Sequence, residues 1–267
     1  MRTVRFDTWG SVAVVTIDRP DVRNAVNAVA SGELVEAFER FDREAELSVA
    51  ILTGANGTFC SGFDLEELVA REGVVLREGS PSGMGPARML LSKPVLAAVE
   101  GCAVGGGFEL ALWCDLRIAA RDAVFGVFNR RLGVPLVDLG TVRLPRVIGH
   151  GRALDLILTG RAVGGEEALA MGLVNRLVEP GQALPKATEL AQELSRFPHA
   201  ALRGDRLSAY EQWSLPQEAA VRNELRRGLD ALASGEALAG AKRFSAGAGR
   251  HGSQVGPGVE ANTDQTV

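Results

Sequence analysis

Three consecutive glycines, Gly105-Gly106-Gly107, lie between an apolar segment, Cys102–Val104, and a stretch that reads as a helix, Phe108–Cys114, with Glu109 in its first turn. Glycine is disfavoured in regular structure by roughly 0.5–1 kcal/mol relative to alanine. A triplet therefore belongs where the chain turns tightly or where something approaches the backbone closely. The first N–H groups of a helix lack internal partners, and the helix dipole adds positive character there. Such an end binds anions, a developing oxyanion among them. The same dipole favours Glu109 as the anion, a base at rest. To act as an acid as well, it needs apolar surroundings that push its pKa up, and Val104, Phe108, Leu110, Leu112 and Trp113 are candidates to supply them. Glycines at a strand–helix junction are also packing devices, and glutamate is common in a first turn. The motif alone leaves both readings open.

Other chemistries find little support. The triplet lacks the Lys-Ser/Thr of a phosphate-binding loop and the spacing of a dinucleotide fingerprint, and neither GxSxG nor HExxH occurs. Cys60, Cys102 and Cys114 form no CxxC pair, and His150, His199 and His251 are scattered, so neither a disulfide framework nor a metal is expected. A net charge of −4 advertises no nucleic-acid surface. Met1–Thr8 has no signal-peptide core, and no apolar run approaches the roughly 20 residues that span a bilayer. No membrane association is expected, and the default address is the cytoplasm.

The elements that must position these residues follow from local pattern. Ser11–Ile17 reads as a strand closed by Asp18-Arg19-Pro20. Ser31 is placed to cap a helix with Leu34, Phe38 and Phe41 on one face. Val49–Leu52, Val95–Val99, Cys102–Val104 and Leu116–Ala119 read as strands, and a helix is expected after Leu65. Residues 71–87, with four glycines and two prolines, read as a mobile loop with some helix. From about Leu154 onward the chain reads as mostly helix, including one from Pro216 to about Ala233. The first 125 or so residues repeat a strand–strand–helix theme without regular βαβ spacing. A core over residues 1–190, a helical region over 191–246 and a flexible tail over 247–267 are expected.

Several segments, taken in order, resemble one family. Phe59-Cys60-Ser61-Gly62-Phe63-Asp64-Leu65 is similar to the F-x-x-G-x-D-φ element of the crotonase (enoyl-CoA hydratase/isomerase) family. Gly101 through Ala111 resembles its G-x-x-x-G-G-G-x-E-L signature, and Cys114-Asp115-Leu116-Arg117-Ile118-Ala119 its C-D-φ-R-φ-A continuation. Arg19-Pro20 through Arg23-Asn24-Ala25 is similar to the segment that borders the family's coenzyme A site. Thr159-Gly160, Glu166-Glu167-Ala168 and Gly172-Leu173-Val174 match a further stretch, and the resemblance runs over roughly residues 4 to 245. It implies an α/β fold, a spiral of ββα turns with a helical C-terminal region that forms a homotrimer or a dimer of trimers. It implies an acyl-CoA thioester as substrate, with no cofactor beyond that coenzyme A. The oxyanion hole falls on the N–H groups of Phe63 and Gly106, and the acid/base on Glu109. Arg23, Ala25, Ser61, Gly62, Asp64, Leu65 and Gly105 fall at substrate- or coenzyme-A-binding positions.

The chain also departs from that pattern. Hydratases of the family carry a second glutamate about twenty residues after the first, and the matching position is Asn129. An amide positions a water but transfers no proton near neutral pH. Asp138 lies nine residues on, where the dienoyl-CoA isomerase and dehalogenase branches resemble this chain in having an aspartate. Glu109 and Asp138 are thus the expected pair, with Asp138 otherwise a cap or an ion-pair partner of Arg130, Arg131 or Arg143. An enoyl-CoA hydratase is the leading expectation. A double-bond isomerase and an acyl-CoA binding module without chemistry are the alternatives.

Overall fold

The structure, a computed structural model, describes residues 2–70, 72 and 79–249. The chain divides into two compact units, Met1–Ala191 and Gln192–Val267. The expected loop positions 71 and 73–78, and tail positions 250–267, lie outside the described residues.

In the first unit the chain runs β1 (Val4–Trp9), β2 (Val12–Ile17), α1 (Ala28–Arg43), β3 (Val49–Gly54), α2 (Leu65–Ala70) and a 3-10 turn at Gly85–Arg88. It continues through β4 (Val95–Val99), β5 (Cys102–Val104), α3 (Gly106–Trp113), β6 (Leu116–Ala120), β7 (Val124–Gly126) and a 3-10 turn at Phe128–Leu132. After these come α4 (Gly140–Ile148), α5 (His150–Thr159), β8 (Val163–Gly164), α6 (Gly165–Ala170), β9 (Arg176–Val178) and α7 (Ala183–Leu194).

Six strands form one sheet in the order β1-β2-β3-β4-β6-β9, parallel throughout except for the antiparallel β1–β2 pair. A parallel sheet covered on both faces needs continuous apolar runs. Every residue of β2 and β4 is buried accordingly. A second sheet has the order β5-β7-β8, with β5 and β7 parallel. Short strands of the two sheets alternate along the chain, so β4 leads to β5 and then α3, and β6 to β7. Leu34, Phe38 and Phe41 of α1 and Phe108 and Leu110 of α3 are buried in one core.

Two expectations need correction, and one strand is added. Helix α1 starts at Ala28, capped by Asn27, whose side chain accepts from Ala30 N. Ser31 lies inside the helix, and its hydroxyl accepts from Gly85 N at 3.0 Å, because a tertiary donor reaches it there. Helical structure begins at Gly140, well before Leu154, and strands β8 and β9 interrupt it. β1 is an unforeseen strand; as the edge of the sheet, with only Val4 buried, it carries little hydrophobic pattern.

The second unit contains α8 (His199–Glu211), α9 (Gln217–Ala233) and α10 (Glu236–Ser245). Arg227 of α9 pairs with Glu211 of α8. Val221, Leu225, Leu229 and Leu232, at helical spacing on α9, are each more than half exposed.

Candidate active site

The segment Cys60–Asp64 is fastened on two sides by single bridges. On one side Cys60 N donates to Cys102 O at 2.9 Å and Val104 N to Cys60 O at 3.1 Å. On the other, Val26 N donates to Gly62 O at 2.8 Å and Asp64 N to Val26 O at 2.9 Å, which makes Val26 and Phe63 bridge partners. In a parallel bridge of this kind the N–H of the middle residue points away from its partner, so the Phe63 N–H faces away from Val26. Gly62 has φ +106°, and a β-carbon there would lie 3.0 Å from both Gly106 N and Val104 O. The absence of a side chain at 62 lets this segment approach the start of α3.

Each glycine of the triplet has its own cause. Gly105 takes φ +56°, in the left-handed region that favours glycine. A β-carbon on Gly106 would meet Met84 Sδ at 2.5 Å, and one on Gly107 would meet Cys60 O at 2.2 Å. Gly106 opens α3, two residues earlier than the sequence suggests, so its N–H is one of the orphan donors of a helix start.

Glu109 is 3% exposed. Its Oε1 accepts from Asp138 N at 2.9 Å and Gly140 N at 2.8 Å. These donors come from the turn before α4, where Leu139 takes φ +70°. Burial is the largest influence on its acidity and pushes the carboxyl up to about 7, assisted by the charge of Asp138 and opposed by the backbone donors. Burial thus outweighs the backbone donors that would keep Glu109 a simple base.

Asp138 is 2% exposed. Its Oδ1 lies 3.2 Å from Arg88 Nε, an ion-pair contact that lacks hydrogen-bond alignment and leaves the oxygen without a hydrogen bond. The partner is none of the three arginines expected from proximity in sequence. Arg143 Nη1 donates to the backbone oxygen of Asp138, at 3.3 Å. Asn129 donates through Nδ2 to Val134 O at 2.9 Å, which orients the amide and leaves Oδ1 buried without a partner.

These groups surround one cavity of about 500 Å³. Ser61, Gly62, Phe63 and Leu65 line it from one segment; Gly105, Gly106 and Glu109 from another; Asn129 and Asp138 from a third. The remaining wall includes Leu68, Met84, Phe128, Leu132 and Val134, and is mainly apolar. Arg23, Ala25 and Asp64 are not among the lining residues. The Asp64 carboxylate is engaged by Arg19 Nη1 at 2.9 Å, which also donates to Ala25 O. Arg23 takes φ +52° beside the Ser61 N–H, which donates to its carbonyl.

Sequence reasoning missed Met84, Arg88 and Gly140. Gly140 had a signal in hindsight, a glycine two residues after Asp138. Its need for smallness depends on Glu109 approaching from thirty-one positions upstream, which local pattern does not encode. Among the described residues no helix is long and apolar enough to cross a membrane.

Residues 7–244 match the model of the enoyl-CoA hydratase/isomerase family. The enoyl-CoA hydratase EchA19 of Mycobacterium tuberculosis is 35% identical over 244 residues, covering 88% of this chain and 91% of that protein. The short-chain-enoyl-CoA hydratase of Clostridium acetobutylicum is 39% identical over 197 residues, 73% of this chain and 76% of that one. A crystal structure of enoyl-CoA hydratase from Mycobacterium tuberculosis H37Rv superposes with a TM-score of 0.86 at 36% identity, covering 92% of this chain and 96% of the other. The α/β fold is the crotonase fold with its helical C-terminal region, and this chain belongs to the enoyl-CoA hydratase/isomerase family.

Proposed function

We propose that this protein is an enoyl-CoA hydratase, a lyase that adds water across the α,β double bond of an acyl-CoA thioester. The observation that carries the reading is Glu109. It is a buried carboxyl in the wall of an apolar cavity, pushed up to about 7, on the helix whose first N–H belongs to Gly106. The names of the similar hydratases support the same reaction.

The thioester oxygen accepts from the N–H groups of Phe63 and Gly106. As water bonds through its oxygen to the β-carbon, Glu109 accepts a proton from it, and the double-bond electrons move to the thioester as an enolate. Glu109 then returns that proton to the α-carbon as the carbonyl reforms. Fixed donors aimed at the developing charge stabilise the enolate, and loss of one such donor typically costs about 10²–10³ in rate. The chemistry needs no group beyond the coenzyme A of the substrate. Arg23 and Ala25 border the coenzyme, while Ser61, Gly62, Leu65 and Gly105 shape the wall around the thioester. Asp64 acts there through its hold on Arg19.

A second reading is favoured by one observation. Asn129 occupies the second-glutamate position, while Asp138 lines the same cavity as Glu109. Two carboxylates on one cavity also suit an isomerase, which takes a proton from one carbon and returns it to another. A panel of saturated, enoyl and dienoyl thioesters separates the readings by mass and absorbance. Hydration adds one water, migration of a double bond adds nothing, and tight binding without turnover points to a binding module.

The assembly we propose is a homotrimer or a dimer of trimers. The exposed apolar stripe on α9 supports burial of that face against another copy.

A further inference from the structure

Arg88 ends the 3-10 turn Gly85–Arg88 and reaches the turn that carries Asp138. Its Nη2 and Nε donate to Val137 O at 2.6 and 3.2 Å, and its Nη1 to Ser80 O at 2.9 Å. Two carbonyls therefore set the plane of the guanidinium, and Nε lies 3.2 Å from Asp138 Oδ1. The Arg88 side chain is 35% exposed and that of Asp138 only 3%. One end of the pair meets solvent while the other lies in the cavity wall.

The charged groups around Asp138 come from three elements. Glu109 of α3 takes the Asp138 N–H, Arg143 of α4 touches its backbone oxygen, and Arg88 contacts its carboxylate. Two carboxyl groups thus line one mainly apolar cavity, where like charges at close range disfavour each other. The guanidinium contact falls on Asp138, whereas Glu109 has backbone donors.

We propose that Arg88 is a positioning residue that holds the Asp138 carboxylate in the cavity wall and so leaves Glu109 as the acid that exchanges its proton. This rests on Glu109 being the acid/base of the reaction. The charge of Asp138 is among the influences that raise Glu109, after burial, which agrees with this division. Removal of Arg88 takes away a cation in contact with the Asp138 carboxylate. Glu109 then holds its proton to higher pH, and the free base that attacks through water is scarcer near neutrality.

The experiment is the pH dependence of kcat/KM on an enoyl thioester for wild type, R88Q, R88K and E109Q. In R88Q the acidic limb moves to higher pH by about one unit, and kcat near neutrality falls about tenfold with a smaller change in KM. R88K keeps the charge and holds the limb near its wild-type position. An acidic limb that stays in place in R88Q, whatever the loss of rate, overturns the proposal and leaves Arg88 as a pin between Ser80 and Val137. E109Q separates the two levels. Wild-type turnover in E109Q removes the Glu109 assignment and this one with it, whereas an inactive E109Q beside an unmoved R88Q limb removes this one alone.

Discussion

The N–H of Gly140 donates to Glu109 Oε1 at 2.8 Å, and a β-carbon built on Gly140 would lie 2.8 Å from that same oxygen. The position thus both holds the carboxyl and leaves no room beside it. Gly140 opens α4 without a left-handed φ, so alanine is acceptable to the backbone there and only the contact opposes it. In G140A the carboxyl is displaced, and kcat falls about tenfold or more, since small misplacements of a reacting group are costly. Gly151, in α5 with nothing within 4 Å of its β-position, is the control. G151A leaves kcat unchanged and stabilises the fold by about 0.4–1 kcal/mol in urea denaturation.

E109Q keeps the shape of the side chain and its acceptor oxygen but cannot move a proton. Turnover on enoyl thioesters falls about 10²-fold or more while the fold is retained, checked by initial rates and circular dichroism.

The same substitution reports on stability. The Glu109 carboxyl has its ordinary pKa of 4.5 when unfolded and is pushed up to about 7 when folded. Between those values the folded state binds a proton that the unfolded chain releases. The contribution is fully present below about pH 4.5 and is lost as pH rises through about 7, a change on the order of 3 kcal/mol. Urea denaturation therefore finds E109Q close to wild type at pH 4.5 and more stable than wild type at pH 8.

The glycines of the triplet differ in what alanine would meet. At Gly106 the obstacle is Met84 Sδ, the end of a flexible chain, and at Gly107 it is the backbone oxygen of Cys60. G106A folds and loses activity, and adding M84A recovers part of the loss. G107A must move Cys60, and it loses about 3 kcal/mol or more of stability or fails to accumulate as folded protein. Rates and thermal melts of the three variants check this order.

If the α9 stripe is buried between copies, light scattering gives the mass of a trimer or a hexamer. L225E with L229E shifts the species toward the monomer, because two charges on an apolar contact are costly to bury.

What could be read in advance depended on how local the cause was. The glycine triplet and Glu109 stand out because a run of glycines beside a carboxylate is a pattern within ten residues, whereas the Gly62 element stands out only through its resemblance to the family. β1 escaped because an edge strand with one buried residue shows almost no alternation. Asn27 and Ser31 are both good cap residues by type, and what commits the Ser31 hydroxyl elsewhere is the Gly85 N–H and the Ser82 carbonyl, each more than fifty positions away. Asp138 stands out through the resemblance to the family branches that place an aspartate there. Its contact with Arg88 spans fifty residues, and nothing in the intervening sequence announces it.

Single bridges, rather than a ladder, tie Cys60–Asp64 to its neighbours. Breaking one demands far less cooperative disruption than peeling β3 from between β2 and β4. In deuterated solvent the amides of Val26 and Asp64 accordingly lose their protons ahead of those of Ile51 and Leu52. Gentle warming abolishes turnover while most of the circular dichroism signal persists.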